Sequence, residues 1–321
     1  MKKIKDILFI FICMIALLSC KNNGFTERFN QSSSCMYYKE HLYFEEIQDN
    51  KAYISMSDLN LKNSQRIDEI NDFVTFSIIK NKLYYIKKDD NVQAVLYTMD
   101  LENLNDKKEV GTLGEYKSIK VGSYNGCEFS AFALDGNEYV LYNNSVYSLK
   151  DNLKRVRTDI VSVYYNNDRF YYSDFNGDIF EYNVLTKEIK KVLSRDKLLL
   201  GKQMNIFGDN ISAHNIVISG DYLYYIGGEI SYNKGNLYKY DIKESQEPEY
   251  ICKSTDKFYV YDSRILYLSN GNLNLMDLDS NYTEIVANNV VDFYVKNENT
   301  VYVMFETDNN YNYTLLKIKE N

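Results

Sequence analysis

The residues of this chain best suited to nucleophilic or metal chemistry are its two histidines and five cysteines. His41 and His214 stand at no spacing from a cysteine pair that would build a Cys/His zinc site. Outside the N-terminal apolar segment only Cys35, Cys127 and Cys252 remain, far apart in the chain. An odd number of dispersed thiols is not typical of a disulfide framework. We therefore predict buried thiols, no metal site and no cofactor.

Catalytic motifs are absent from the sequence. It contains no nucleophile elbow, no zinc-protease helix motif, no P-loop and no dinucleotide-binding glycine motif. Residues 174–178 carry carboxylates and an amide like the start of a calcium loop, but the remaining oxygen ligands are missing, so a plain turn is favoured. A site assembled from separate segments, for instance around His214, would carry no motif. We predict that the chain is not an enzyme, with such a site as the alternative.

The elements that must position these residues are strands in a repeat. An apolar phrase with an aromatic recurs seven times, with a mean period of about 43 residues. The phrases begin at Leu42, Leu83, Val140, Phe170, Leu223, Leu266 and Val301. A period near 40 to 45 residues built from short strands is typical of a β-propeller blade. We predict an all-β fold, a β-propeller with seven four-stranded blades (six or eight as alternatives), as a single domain over residues 36–321.

Turn residues and the last repeat refine this prediction. The dipeptides Asp135-Gly136, Asn176-Gly177 and Asn270-Gly271 predict tight hairpins with positive φ. The seventh repeat offers only three strand patterns before the sequence ends. A propeller with an unpaired last blade would expose an edge, so we expect a strand near residues 25–30 to supply the missing one.

The N-terminus has the pattern of an export signal. Lysines precede an apolar run from Ile7 to Leu18, which is too short for a membrane span and suits a secretory signal. The run ends in Leu17-Leu18-Ser19-Cys20, which resembles the lipobox of bacterial lipoproteins. The resemblance implies cleavage before Cys20 and a diacylglyceryl anchor on its thiol, facing the extracytoplasmic side of the cell membrane. An ordinary cleaved signal with an incidental Cys20 is the alternative.

These boundaries also set the charge of the mature chain. Residues 1–19 form the predicted signal peptide, and residues 20–35 form a lipidated tether in which the closing strand can lie. The signal carries three lysines and one aspartate, so its removal changes the formal charge from −8 to −10. Nucleic acid is an unsuitable partner for such an acidic chain, because binding it relies on clustered Lys and Arg. We expect a monomer whose membrane contact is the lipid on Cys20.

Three connections exceed the repeat length, at residues 111–126, 194–214 and 227–235. By their position in the repeat they should open on one face, and long loops on a rigid scaffold often carry recognition. Loop padding without a ligand is the alternative. The candidate ligand-binding residues in these loops are Tyr116, Tyr124, Lys202, Gln203, Asn205, Phe207, Asp209, His214 and Tyr232.

The segment from Asn210 to Asp241 resembles the repeat of bacterial surface proteins with DUF5050-type propellers. It has an Asn-Ile start, an apolar strand, the phrase Asp221-Tyr222-Leu223-Tyr224-Tyr225 and a closing Leu-Tyr-Lys-Tyr-Asp, with Tyr222 in place of the family's Trp. The resemblance implies a propeller at the cell surface and brings no catalytic residues. We therefore expect a membrane-anchored binding or scaffolding module for a cell-envelope protein, peptide or glycan. An extracytoplasmic polysaccharide hydrolase or lyase and a structural envelope component are the alternatives.

Overall fold

The part of the chain that the structure describes covers most of the predicted repeat. In the computed structural model the described residues are 34–49, 51–70, 72–121, 124–127, 129–166, 169–198, 211–229, 235–261, 263–297, 299–307 and 310–318. Cys20 and the predicted closing strand near residues 25–30 lie outside these residues.

The first three blades are antiparallel sheets whose strands follow chain order. Blade 1 consists of β1 (Cys35–Tyr38), β2 (His41–Gln48), β3 (Lys51–Ser57) and β4 (Gln65–Ile70). After the short strand β5 (Phe73–Val74), blade 2 consists of β6 (Ser77–Ile79), β7 (Lys82–Lys88), β8 (Gln93–Asp100) and β9 (Asn103–Glu115). After β10 (Ile119–Val121) and β11 (Tyr124–Cys127), blade 3 consists of β12 (Ser130–Leu134), β13 (Asn137–Tyr142), β14 (Ser145–Ser148) and β15 (Lys154–Thr158).

The next four blades follow the same order, and blades 5 and 6 share one long strand. Blade 4 consists of β16 (Ile160–Asn166), β17 (Arg169–Asp174), β18 (Ile179–Asn183) and β19 (Ile189–Leu193), and the single-turn helix α1 (Arg195–Leu198) follows it. Blade 5 consists of β20 (Ile211–Ser219), β21 (Tyr222–Glu229), β22 (Gly235–Asp241) and the first half of β23 (Glu249–Tyr261). Blade 6 consists of the second half of β23, β24 (Arg264–Ser269), β25 (Asn272–Asp277) and β26 (Thr283–Ala287). The described strands of blade 7 are β27 (Val290–Asn297), β28 (Thr300–Thr307) and β29 (Asn310–Lys317).

Each of the seven aromatic phrases lies in the second strand of its blade, as the repeat predicted. These strands are apolar on both sides because each blade packs between two others. In β7, for example, all four residues from Leu83 to Ile86 are buried. Tyr85 and Tyr225 occupy the equivalent position in blades 2 and 5, and both side chains are fully buried. Burial of large aromatic side chains between blades therefore supplies much of the hydrophobic stabilisation.

Two of the three predicted glycine hairpins have the expected geometry. Asp135 and Gly136 have φ values of 53° and 75°, and Asn270 and Gly271 have 52° and 75°. At residues 174–178 only Gly177 has a positive φ. There the Asp174 carboxylate accepts the amides of Asn176 and Asp178 at 3.0 and 2.9 Å, which makes a longer turn than the dipeptide predicts.

The innermost strands meet around the ring, including the junction of the last blade with the first. β1 contacts both β6 and β27, so the first strand lies between blades 2 and 7. On the same junction Ile47 of β2 pairs with Tyr311 of β29. The Tyr302 hydroxyl in blade 7 also donates to the Leu59 carbonyl in blade 1 at 2.7 Å. These contacts close the ring through described residues.

A carboxylate in the outer strand of blade 1 ties that blade to blade 2. Asp68 accepts hydrogen bonds from the Tyr85 hydroxyl at 2.5 Å and from the ammonium groups of Lys87 at 2.8 Å and Lys107 at 3.0 Å. Burial disfavours the charged carboxylate, but the bonds from Lys87, Tyr85 and Lys107 outweigh it and lower the pKa of Asp68 below its usual value. The network therefore requires the ionised form.

Replacing Asp68 by asparagine should lower the free energy of unfolding by about 2 kcal/mol at pH 7, because two cations lose their partner. A folded-state pKa below the unfolded value contributes stability that is fully present above about pH 4 and is lost as the pH falls through the folded value. The difference between wild type and Asp68→Asn should thus shrink below pH 4 in denaturant titrations. Glu69→Gln, at an exposed position of the same strand, is the control. A difference that stays constant down to pH 2 would contradict the prediction.

Candidate functional site

The three long connections leave the ring at one edge, which we call the insertion face. Successive strands of a blade are antiparallel, so the end of the second strand and the end of the fourth lie at the same edge. Residues 111–115, which were expected in the first connection, belong to the fourth strand β9, and that connection begins at Tyr116. The second connection follows the fourth strand β19, and the third follows the second strand β21. The described strand ends from which the three connections leave therefore lie at the same edge.

The relative direction of neighbouring inner strands supports this geometry. β11, before blade 3, pairs in parallel with β5, before blade 2. A little further along, Thr75 exchanges hydrogen bonds with the backbone of Phe129, and the Ala131 amide donates to Ser77 Oγ at 3.0 Å. The inner strands of blades 2 and 3 thus run side by side in the same direction. Together β10, β11 and β5 form a three-stranded sheet that belongs to no blade.

The base of the first connection is held by tyrosines of blade 3. The Tyr142 hydroxyl donates to the Glu115 carbonyl at 2.9 Å and accepts from the Lys117 amide at 2.7 Å. The Tyr147 hydroxyl donates to the Leu113 carbonyl at 3.0 Å. These contacts fix where the connection leaves β9. Neither tyrosine stands out in the sequence, since both belong to ordinary strand patterns.

Tyr116 differs from the exposed loop residue that its position suggested. Its side chain is 6% exposed, and its amide donates to the Val92 carbonyl at 2.8 Å. The Lys88 ammonium lies 5.6 Å from the centre of its ring. In this state Tyr116 supports the base of the connection, and its ring is not available as a contact surface.

The other candidates are only partly described. Tyr124 lies in β11 opposite Val121, and His214 lies in β20 opposite Ile226. Both positions are at the insertion face. The remaining candidates lie outside the described residues, and these are Lys202, Gln203, Asn205, Phe207, Asp209 and Tyr232.

The third connection begins at a narrow neck in blade 5. Gly227 is the last residue of β21 that pairs with β22, and Gly235 starts β22. A Cβ atom at Gly235 would overlap the carbonyl of Gly227, and one at Gly227 would lie 3.1 Å from the Tyr238 ring. The two strands can approach this closely only because both positions are glycine.

A buried polar cluster joins blades 6, 7 and 1 beside the ring axis. The Asp292 carboxylate in β27 accepts hydrogen bonds from Ser34 Oγ, from the Tyr313 hydroxyl at 3.0 Å and from the Lys257 ammonium at 2.7 Å. Ser34 and Tyr313 also lie 2.6 Å apart through their hydroxyls. Sequence reasoning missed this cluster, although an aspartate inside the apolar run from Val290 to Val295 was a usable signal.

The cluster combines a hydroxyl, a carboxylate and an amine, but its burial indicates a structural role. Ser34 is 1% exposed and Tyr313 is 6% exposed, so a substrate cannot reach either hydroxyl. Burial raises the pKa of Tyr313 and of the adjacent Cys35 well above their usual values, so both stay protonated at neutral pH. A protonated thiol is a poor nucleophile. The cluster therefore acts as a clasp between the first and last blades, and we call it the ring clasp.

The described residues hold neither a candidate metal cluster nor a candidate membrane helix. Within them, no three side chains of His, Cys, Asp or Glu gather in a way that could hold a metal ion. In the same part of the chain, no helix has the length and apolar character needed to cross a membrane.

Comparison with known proteins identifies the fold. No protein-family model and no curated protein matches the sequence. Among solved structures, the AfRom2 CNH domain is similar with a TM-score of 0.56 and 9% identity, over 91% of this chain and 96% of that one. The N-terminal domain of Nup159 is similar with a TM-score of 0.53 and 11% identity, over 92% of both chains.

A third similar structure is the β-propeller domain of the Trilobed protease from Pyrococcus furiosus, described as having an open velcro topology. Its TM-score is 0.50 at 12% identity, over 92% of this chain and 97% of that one. At such identities the likeness concerns the fold alone. Together with the seven blades described above, it shows that this chain is an all-β protein with the β-propeller fold.

Proposed function

We propose that the chain is a binding or scaffolding module, held outside the cytoplasmic membrane by lipid on Cys20, whose insertion face receives a protein, peptide or glycan of the cell envelope. The observation that carries the proposal is the sheet formed by β5, β10 and β11. This sheet is separate from the four-stranded sheets, and its hairpin of β10 and β11 is added to the pattern of four strands per blade. Added structure on a rigid scaffold is where recognition is usually placed.

The aromatics of the second and third connections provide the test. Joint replacement of Phe207 and Tyr232 by alanine should leave the free energy of unfolding within about 1 kcal/mol, as surface changes usually do. Capture of the envelope partner by the soluble chain from Lys21 should fall about tenfold or more, since aromatic side chains dominate binding hot spots. Pull-down from envelope extract, quantified by mass spectrometry, measures the capture.

The matched control replaces two exposed apolar residues of blade 6, Tyr282 and Ile285, by alanine. These side chains are 61% and 58% exposed and lie in or next to the outer strand. The control should retain capture. Strong destabilisation by Phe207→Ala and Tyr232→Ala with unchanged capture would show that these aromatics belong to the core.

A hydrolase or lyase is the second candidate, and one groove of about 410 Å³ favours it. The groove is lined by Tyr38, Lys39, Glu40, His41, Tyr43, Leu101 and Glu102. It combines carboxylates, a histidine and tyrosines, but it lies at the edge opposite the insertion face. Glu102 is paired with Lys39 at 2.8 Å, and both side chains are more than half exposed. Such an open site does not exclude water, which disfavours catalysis. Polysaccharide cleavage that is abolished by Glu102→Gln would favour this candidate instead.

A further inference from the structure

The outer strands of blades 3 and 4 carry cations and no carboxylate. In β15 these are Lys154, Arg155 and Arg157, and in β19 they are Lys190 and Lys191. The two strands belong to adjacent blades, so the five cations share one sector of the rim. We call the outer edge formed by β15 and β19 the basic rim. It stands on a chain with a formal charge of −8.

The other described outer strands do not share this composition. β4 combines Arg66 with two carboxylates, and the outer half of β23 combines one glutamate with one lysine. β9 mixes both signs, and β26 has one glutamate and no cation. Charges of either sign protect an exposed sheet edge from aggregation. Edge protection alone therefore does not explain why the charged residues within β15 and β19 are all cations, whereas attraction of an anionic partner does.

The cations of the basic rim are available for binding. Within the described part of the chain, Lys154, Arg155 and Lys190 make no ion pair. All five residues of β15 are exposed. The Arg157 guanidinium lies 4.8 Å from the centre of the Tyr172 ring in blade 4 and donates to its hydroxyl at 3.3 Å. That contact joins β15 to the second strand of blade 4.

Exposed apolar side chains lie among these cations. Val156 is 49% exposed, Ile189 is 58% exposed, and Leu185 in the neighbouring turn is 72% exposed. A free phosphate or a purely polar polyanion would make no use of them. A polypeptide with both acidic and apolar residues would use both kinds of side chain, and the open strand edges offer backbone hydrogen bonds to it as well.

We infer that the basic rim binds an acidic polypeptide segment that also carries apolar residues. The cations attract the segment, and Val156 and Ile189 contact its apolar side chains. This surface is separate from the insertion face, so it extends the proposed function to a second partner.

The first arm of the test uses a labelled synthetic peptide of alternating glutamate and valine, about eight residues long, with the soluble chain from Lys21. Fluorescence anisotropy should show binding that weakens as salt is added, because exposed charges are screened. The variant Lys154→Glu, Arg155→Glu, Lys190→Glu should bind the peptide about tenfold more weakly or worse, since reversed charges repel it.

The control reverses three exposed lysines on other blades, which changes the net charge of the chain by the same amount. The control variant is Lys62→Glu, Lys253→Glu, Lys317→Glu. It should bind the peptide within about twofold of wild type, and thermal melts should show that both variants fold. An equal loss in both variants would show that only the net charge matters and would overturn the inference.

Two further probes test whether the basic rim binds a purely polar polyanion or a lipid surface instead. A peptide of alternating glutamate and serine should bind clearly more weakly, and equal binding would show that the rim accepts any polyanion. Co-sedimentation with phosphatidylglycerol vesicles that depends on Lys154, Arg155 and Lys190, without peptide binding, would replace the inference with a lipid surface. Absence of both kinds of binding would overturn it outright. Loss of partner capture at the insertion face leaves all of these readouts unchanged, so the two proposals fail separately.

Discussion

Replacing Asp292 by alanine should lower the free energy of unfolding by about 3 kcal/mol, the lower end of the usual result for a buried ion pair, because the Lys257 side chain is 33% exposed. The substitution removes the ion pair with the Lys257 ammonium and the acceptor shared by Ser34 and Tyr313. In a domain of this size the melting temperature should fall by about 10 °C. Calorimetry or circular dichroism of the soluble chain measures the shift.

Two further variants should lose less stability than Asp292→Ala. Tyr313→Phe removes one hydroxyl and keeps the carboxylate, so we expect a loss of about 1 to 2 kcal/mol. Asp279→Ala, at an exposed turn of blade 6, should change stability by less than about 0.5 kcal/mol. If Asp292→Ala melts within 1 °C of wild type, the ring clasp does not hold the blades together, and closure depends on residues outside the described part of the chain.

Replacing Cys20 by alanine should abolish lipidation and signal cleavage in a bacterial host that processes lipoproteins. The lipobox resemblance implies that the acyl chains are attached to the Cys20 thiol and that the signal remains uncleaved without it. Wild type should partition into the detergent phase as the mature form, while Cys20→Ala should accumulate as a precursor about 19 residues longer, a length set by the predicted signal. Immunoblotting and intact mass measurement distinguish the two forms.

Cys13 provides a matched control, because it lies inside the apolar run and takes no part in the lipobox. Cys13→Ala should mature and partition as wild type does. Complete maturation of Cys20→Ala to a soluble chain would instead support an ordinary cleaved signal, and the membrane location would have to be abandoned.

The architecture was predictable because its signals are local. Each blade repeats the same phrase in its second strand, as Leu83-Tyr84 and Leu223-Tyr224 show, and these residues are buried whichever blade is considered. The number of blades follows from the number of phrases and their mean spacing. The long connections at residues 111–126 and 194–214 change this spacing too little to alter the count of seven blades. Strand polarity then placed those connections on one face without any tertiary information.

The ring clasp could not be predicted in the same way. Ser34 and Asp292 are separated by 258 positions in the sequence. The residues next to each of them do not specify which inner strands become neighbours when the ring closes. Tyr116 was named as a candidate binding residue from its sequence position, but its side chain is buried. Its place in a long connection suggested exposure, yet β9 continues to Glu115 through several register shifts and carries Tyr116 into a buried position. Bulged pairing of this kind leaves no mark in an apolar pattern.

The shared strand β23 also shapes the insertion face. Ser254, with a φ of 55°, is the corner at which the outer edge of blade 5 becomes the inner strand of blade 6 without an intervening loop. Between blades 3 and 4 only Asp159 intervenes, and between blades 6 and 7 only Asn288 and Asn289 do. At these three junctions the described chain therefore crosses the insertion face with almost no loop. If this face receives a partner, as proposed, an elongated molecule can pass over these junctions and extend past the ring, so that the propeller holds one stretch of a longer molecule without enclosing its ends.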